Sequence, residues 1–328
     1  AHVFQQRCAH RGTQLNVGWV EGDCIRCLYH GWKYDETGQC IEQPGEDEEF
    51  ATRVKIRSYP TEEYLGLIFV YLGEGETPPL RRFPDFERDF VIDAGIPEYW
   101  PCNYFNRIDN ACDAAHVAYA HRTSLTRVGR EPFIRPISTE ETDYGLRTTL
   151  NLPGGAKSYI HFHMPNVNQT RSSGRVEGTL EDAKNLWVDR LFFRVPVDDG
   201  HNISFVVDCL QLTGAAADAY RERRLAAQEM ETNDLNQIGE DILGGKMRMM
   251  DIPQMSTYKS FWIEDYTVQV GQGLIAPREN DRPIRGDVGV VMLRKIWERE
   301  LLKFASGRPT KQWHTPAGLA DMSEVPAG

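Results

Sequence analysis

No stretch of this 328-residue chain approaches the roughly 20 consecutive apolar side chains that a membrane-spanning helix needs. The opening Ala1–Arg7 lacks the basic, apolar and small-residue zones of a secretion signal. A cytoplasmic location is the expectation. An excess of positive charge is missing too: 37 Lys and Arg stand against 48 Asp and Glu, a net charge of −11. Binding to a phosphate backbone depends on clustered cations that displace counterions, so a nucleic-acid partner is not expected. Cysteine is scarce, seven in all, and an odd, sparse set does not build a secreted disulfide framework. No G-x-G-x-x-G follows a strand pattern, so any NAD(P)H must be used by another protein.

What is present describes a folded chain, with 41% apolar and 26% charged residues. Its length favours two domains, each burying a core. Up to about Gly73, short apolar runs alternate with turn signals such as Glu21-Gly22-Asp23 and Gln43-Pro44-Gly45, the texture of small antiparallel strands. Leu65–Leu72 reads as a buried strand. The proline-rich Thr77–Pro84 reads as a linker, which sets the domains at 1–76 and 77–328. Beyond it, Gly145–Leu152, Ser158–Met164, Leu191–Pro196 and Ile203–Leu212 favour strands, and Asp109–His121, Ala215–Ile242 and Val288–Phe304 favour helices. The expected fold class is α+β: a small all-β domain, then an antiparallel sheet flanked by helices. The chain opens only seven residues before Cys8, and the leading strands of the first domain are expected to be missing.

Two constellations carry chemistry. In the first, Cys8-Ala-His10 and Cys27-Leu-Tyr-His30 each place a thiolate and an imidazole within one tight turn. A two-iron, two-sulfur cluster with Cys on one iron and His on the other needs this ligand set. Structural zinc uses the same residue types, but its sites usually pair like ligands, whereas here each loop mixes them. In the second, Asp113, His116 and His121 offer the two histidines and one carboxylate that hold non-haem iron with open positions for O₂. Asp113 and His116 share a helix face. His121, five residues on, would be rotated off that face, so a π-type bulge is expected.

Cys8-Ala-His10-Arg-Gly and Cys27-Leu-Tyr-His30-Gly-Trp resemble the ligand loops of Rieske proteins, in the form found in the large subunits of ring-hydroxylating oxygenases. The resemblance implies a [2Fe-2S] Rieske cluster with Cys8 and Cys27 on the inner iron and His10 and His30 on the outer one. Cys24, Cys40, Cys102, Cys112 and Cys209 fall outside the motif and read as buried spare thiols. The run Asp109-x₃-Asp113-x₂-His116-x₄-His121 resembles the catalytic iron motif of the same oxygenases. It implies a mononuclear Fe(II) on His116 and His121, Asp113 as the carboxylate joining that iron to a Rieske histidine of another subunit, and Asp109 and Asn110 nearby.

The third ligand is taken as Asp287 in Arg285-Gly-Asp287, which resembles the family's ligand at the start of its last long helix. The same position suits a helix N-cap, and Asp281 and Glu279 are the alternatives. Across the whole chain the likeness is to the phthalate dioxygenase and aromatic O-demethylase group. It implies an oxygenase component acting on an aromatic acid, with a flavin-dependent NAD(P)H reductase or ferredoxin as electron donor, and a homotrimer or stacked trimers. Strand alternation puts Tyr159, His161 and His163 on one face, a candidate cavity lining, and Arg171 is a candidate fork for a substrate carboxylate.

Overall fold

A computed structural model describes residues 1–129, 134–151, 157–173, 187–230 and 235–319. The chain divides into two compact units, Ala1–Arg81 and Arg82–Gly328, so the division falls inside the proline-rich stretch, a few residues beyond position 76.

In the first unit a four-stranded antiparallel sheet runs β2 (Trp19–Glu21), β3 (Cys24–Arg26), β4 (Lys33–Tyr34), β5 (Cys40–Glu42). Strand β1 (Val3–Phe4) pairs with β6 (Ser58–Tyr59), and β7 (Thr61–Tyr64) with β8 (Leu67–Val70). A short helix α1 (Glu48–Thr52) starts at Asp47, whose carboxylate accepts from Phe50 N. The expected buried strand Leu65–Leu72 is corrected. Leu65 and Gly66 both have positive φ, +54° and +74°, the signature of a tight hairpin turn. Only Leu67–Val70 is strand, in a two-stranded hairpin with β7, and Ile68 is 57% exposed.

The second unit is an eight-stranded antiparallel sheet. Its strands are β9 (Val91–Ala94), β10 (Glu98–Trp100), β11 (Ile137–Glu141), β12 (Gly145–Asn151), β13 (Lys157–His163), β14 (Val167–Ser173), β15 (Trp187–Asp198) and β16 (His201–Leu210). Their order is β10-β16-β15-β14-β13-β12-β11, with β9 also on β16. The four expected strands are present; β9, β10, β11 and β14 carry weaker patterns. Helices α2 (Tyr104–Cys112), α3 (Val117–Ala120), α4 (Arg122–Arg127), α5 (Gly214–Met230), α6 (Leu235–Leu243), α7 (Thr257–Val270) and α8 (Val288–Ala305) complete it.

Phe162 and Leu146 on the sheet pack with Ile108 and Cys112 of α2 and Leu293 and Ile296 of α8. This core fixes which sheet face meets the helices. By strand alternation His161 and His163 point to the other face, where the Phe83 ring stands edge-on to His163 at 5.2 Å. His161 Nδ1 bonds the Tyr144 hydroxyl at 2.7 Å. The two histidines therefore belong to the far side of the sheet from α2.

Burial, assisted by His163 and Arg147, pulls the His161 imidazole down from 6.5 to about 3. The unfolded ring takes a proton below pH 6.5 that the folded ring refuses until about pH 3. Stability from this site is therefore present above pH 6.5 and drains away as pH falls, by up to about 1.4 kcal/mol per pH unit. Denaturation at a series of pH values should show that slope, and His161→Gln should flatten it; an unchanged slope would remove His161 as its source.

Candidate functional site

The two loops of the first unit are built alike. Cys8 N donates to Thr13 O at 2.9 Å and Gly12 N to Cys8 O at 3.0 Å; Cys27 N donates to Trp32 O at 2.8 Å and Gly31 N to Cys27 O at 3.0 Å. Gly12 and Gly31 occupy matching corners with φ of +74° and +72°, a conformation that glycine adopts without a steric penalty. Cys8 and Cys27 are both buried, whereas His10 is exposed and His30 half-buried. The imidazole rings stand 4.5 Å apart, with Trp32 stacked on His10 at 4.6 Å. The Tyr34 hydroxyl accepts from Ala9 N at 3.2 Å, which leaves its proton for Cys8 Sγ, also at 3.2 Å. Two inward sulfurs and two outward imidazoles from matched loops fit a [2Fe-2S] group with its histidine-bound iron toward solvent. Among the other cysteines Cys40, Cys102, Cys112 and Cys209 are buried; Cys24 is only half-buried.

In the second unit α2 starts on Asn103, whose side chain accepts from Phe105 N, and stops at Cys112. Asp113 is extended, with φ −91° and ψ 97°, and its Oδ1 accepts from Ala115 N at 2.8 Å and His116 N at 3.2 Å. This side-chain turn restarts the chain as α3. His116 and His121 stand at the two ends of that four-residue helix. The expected π-type bulge is thus replaced by a break and a separate turn of helix, which brings the two rings to 5.4 Å.

The carboxylate that joins them is Asp265, from the middle of α7. His116 Nε2 and His121 Nε2 lie 3.8 and 3.7 Å from Asp265 Oδ1, and the three ligand atoms all fall within 4.8 Å of one another. Asp287 lies outside this cluster: its Oδ2 reaches back to accept from Ile284 N at 2.7 Å, closing the short turn Arg285–Asp287 ahead of α8, and its side chain makes no cap bond to α8 itself. Asp281 pairs with Arg294 at 2.6 Å, and Glu279 is exposed. Asp109 is held by Arg278 at 2.9 Å and Arg294 at 2.7 Å, tying α2 to α8.

The donor set is prepared for a cation. His116 Nδ1 bonds the Asp113 carbonyl, and His121 Nδ1 bonds Glu264 Oε2 at 3.0 Å. A carbonyl oxygen can only accept, and the fully buried Glu264 does the same as a carboxylate, so both Nδ1 atoms carry the proton and both Nε2 atoms keep a lone pair. Three electron-rich atoms then converge, joined by the Asn110 amide at 3.3 Å from Asp265 Oδ1 and 3.4 Å from His116 Nε2. Two histidines and one carboxylate suit divalent iron with open positions. Glu264 Oε1 also accepts from Ser124 N at 3.0 Å, and Phe261 stacks on His121 at 4.1 Å.

Glu264 and Asp265 were missed because α7 was. Its buried positions include the polar Ser260, Glu264 and Gln269 beside Ile263 and Tyr266, so the apolar stripe that marks a helix is absent. An adjacent acidic pair inside Phe-Trp-Ile-Glu264-Asp265-Tyr was the available signal. Arg171 is corrected as well: its fork is filled by Asp189 at 2.5 and 2.8 Å.

Residues 1–60 match the Rieske [2Fe-2S] domain family. The 5,5'-dehydrodivanillate O-demethylase oxygenase subunit of Sphingobium sp. (strain NBRC 103272 / SYK-6) is 27% identical, over 94% of this chain and 68% of that protein. The chain is a relative of the Rieske oxygenases. The phthalate 4,5-dioxygenase oxygenase subunit of Pseudomonas putida is 25% identical, over 93% of this chain and 73% of its own length. In fold the relationship extends to NdmB of Pseudomonas putida CBB5, with TM-score 0.66, 21% identity and coverage of 94% and 80% of the two chains. Dicamba monooxygenase bound to dicamba gives TM-score 0.63, 16% identity and coverage of 94% and 88%. No described helix is long and apolar enough to cross a membrane.

The Tyr34 hydroxyl should stabilise the reduced cluster, since a donor to a thiolate ligand matters more as negative charge builds there. Tyr34→Phe is expected to lower the midpoint potential in a redox titration while leaving iron and sulfide content intact. An unchanged potential would mean that the hydroxyl serves only Ala9.

Proposed function

We propose that this chain is the terminal oxygenase component of a multicomponent system. On this reading it uses O₂ and electrons from a separate reductase or ferredoxin to hydroxylate, O-demethylate or dihydroxylate an aromatic compound, with an aromatic acid favoured. The observation that carries the reading is the convergence of His116, His121 and Asp265 in a chain that also holds a Rieske domain. The names of the relatives support it, since an O-demethylase oxygenase subunit and a phthalate dioxygenase oxygenase subunit are each one component of several. A pure electron carrier has no use for a second ligand set.

In this proposal Cys8, Cys27, His10 and His30 hold the cluster, and His116, His121 and Asp265 hold a mononuclear iron. Bound there, the iron supplies reductive activation of O₂, drawing one electron at a time from the cluster. The protein's own groups do the rest. Glu264 and the Asp113 carbonyl keep the imidazole protons on Nδ1, Phe261 holds the His121 ring flat, and Asn110 directs an amide at the ligand atoms.

The donor set is tested by metal analysis of anaerobically loaded protein, with EPR after dithionite and nitric oxide. Asp265→Ala is expected to lose the mononuclear iron and its nitric oxide signal while keeping the reduced-cluster signal. Asp287→Ala should keep both, and Glu264→Gln should weaken iron binding about 10- to 100-fold. Retention of iron by Asp265→Ala together with its loss from Asp287→Ala would sink this assignment. A colourless protein containing only zinc would sink the whole proposal.

Asp113 is proposed to link the iron ligand His116 to a cluster histidine of a neighbouring copy in a homotrimer. Its carbonyl holds His116, and its carboxylate presents Oδ2 while Oδ1 is engaged by the turn. Asp113→Asn keeps the carbonyl and an oxygen for the turn. It should retain both iron centres yet slow single-turnover product formation by about 10- to 100-fold. Parental product formation would exclude the carboxylate from the route.

A further inference from the structure

In the first unit one buried polar group is left over. Gln43 is 5% exposed, and neither its Nε2 nor its Oε1 has a hydrogen-bond partner among the described residues. Its one return is a donor contact to the Cys40 thiol that falls short of hydrogen-bond geometry, little for an amide that has lost its hydration, and such groups are rare without a reason. Gln39, four residues earlier, shows the ordinary solution: its Nε2 donates to the carbonyls of Ala51, Thr52 and Val54 at 2.9 to 3.2 Å.

The position of Gln43 supplies the reason. Strand β5 pairs with β4 so that Glu42 lies opposite Lys33, and Gln43 and Trp32 are the residues that follow and precede that pair in the chain. Trp32 follows Gly31 in the second ligand loop and stacks on His10. Pro44 packs over the same loop, its Cγ 3.1 Å from where a Cβ on Gly31 would stand. The Gln43 amide approaches the Cys40 thiol and offsets part of the rise that burial imposes on it. Cys40 shares one core with Cys8 and Cys27.

We propose that the Gln43 amide is a positioning and tuning group for the Rieske cluster, donating N–H to a cluster sulfur, either a bridging sulfide or a cysteine thiolate. Reduction makes those sulfurs more basic, so a donor favours the reduced form and raises the potential. The proposal rests on the Rieske domain and not on the oxygenase reading, so failure of one leaves the other standing.

The test uses the full-length holoprotein and the variants Gln43→Met and Gln43→Leu, which keep the volume and remove the donor. Redox titration followed by EPR should show a lower midpoint potential and shifted g-values in both, at parental iron and sulfide content. Parental potential and g-values would overturn the proposal and leave the amide as a neighbour of Cys40 alone. Should neither variant assemble the cluster, parental protein labelled with amide-¹⁵N glutamine decides. Pulsed EPR of the reduced cluster is expected to show a weak ¹⁵N coupling, and its absence overturns the assignment.

Discussion

An imidazole offers a lone pair at Nε2 only while something keeps its proton on Nδ1. The candidate metal site of the second unit depends on that condition being met twice, by the Asp113 carbonyl for His116 and by Glu264 for His121. Glu264 does more than select a tautomer. Its second oxygen takes Ser124 N, one of the amides that a helix leaves unsatisfied in its first turn. One buried carboxylate therefore orients the ring and starts α4 directly after it. Neighbouring residues on a helix point about 100° apart. With Glu264 turned toward α4, Asp265 is turned toward the histidines, and Phe261, one turn earlier, toward the His121 ring. Helix α7 is the element on which the geometry hangs.

The sheet face that meets the helices is unusually charged for an interior, and its charges are closed on themselves. Arg190 forks onto Asp208 across β15 and β16 at 2.5 and 2.7 Å. Further along, Arg107 and Arg194 share Glu98, at 3.4 and 3.7 Å, with the Arg107 guanidinium 3.5 Å over the Trp100 ring. Burial, reinforced by the neighbouring Arg107, pulls the Arg194 guanidinium down to about 9, and Glu98 resists that pull. Breaking such a pair by removing one partner leaves a buried charge uncompensated, at a cost of about 3–5 kcal/mol. These residues are better placed to fix the packing of α2 and α7 on the sheet than to wait for a ligand. The same logic removes Arg171, whose partner Asp189 lies directly opposite on the next strand.

The cluster loops were legible in the sequence because all their determinants are local. Cys8 to Thr13 and Cys27 to Trp32 each contain two of the proposed ligands, the corner glycine and the closing carbonyl. His116 and His121 were legible for the same reason. Asp265 was not, since it lies 144 positions beyond His121 on a helix whose polar residues face inward. Periodicity arguments assume that polar side chains seek water, and they fail where polar side chains are turned inward to ligate or to orient. Asp287 attracted attention by its resemblance to the family's ligand at the start of the last long helix, and the structure ties its carboxylate to Ile284 N in the turn before that helix.

The two units reach order by different means. The main buried cluster of the first holds Cys8, Leu15, Cys27, Tyr34, Cys40, Ala51 and Ile56, with Phe4, Ile25, Trp32 and Val54 only partly buried against it, a small core in which three of seven buried side chains are cysteines. So few apolar groups stabilise a domain of this size poorly without covalent or metal cross-links. Two of those cysteines are the proposed cluster ligands, which makes the cluster part of the core and couples its binding to folding. In the second unit the ligands are held by Asp113, Glu264 and the packing of α7, groups that need no metal to take up their places. Cluster assembly should therefore decide whether the first unit is folded at all, whereas iron can enter a site in the second that the polypeptide has already shaped.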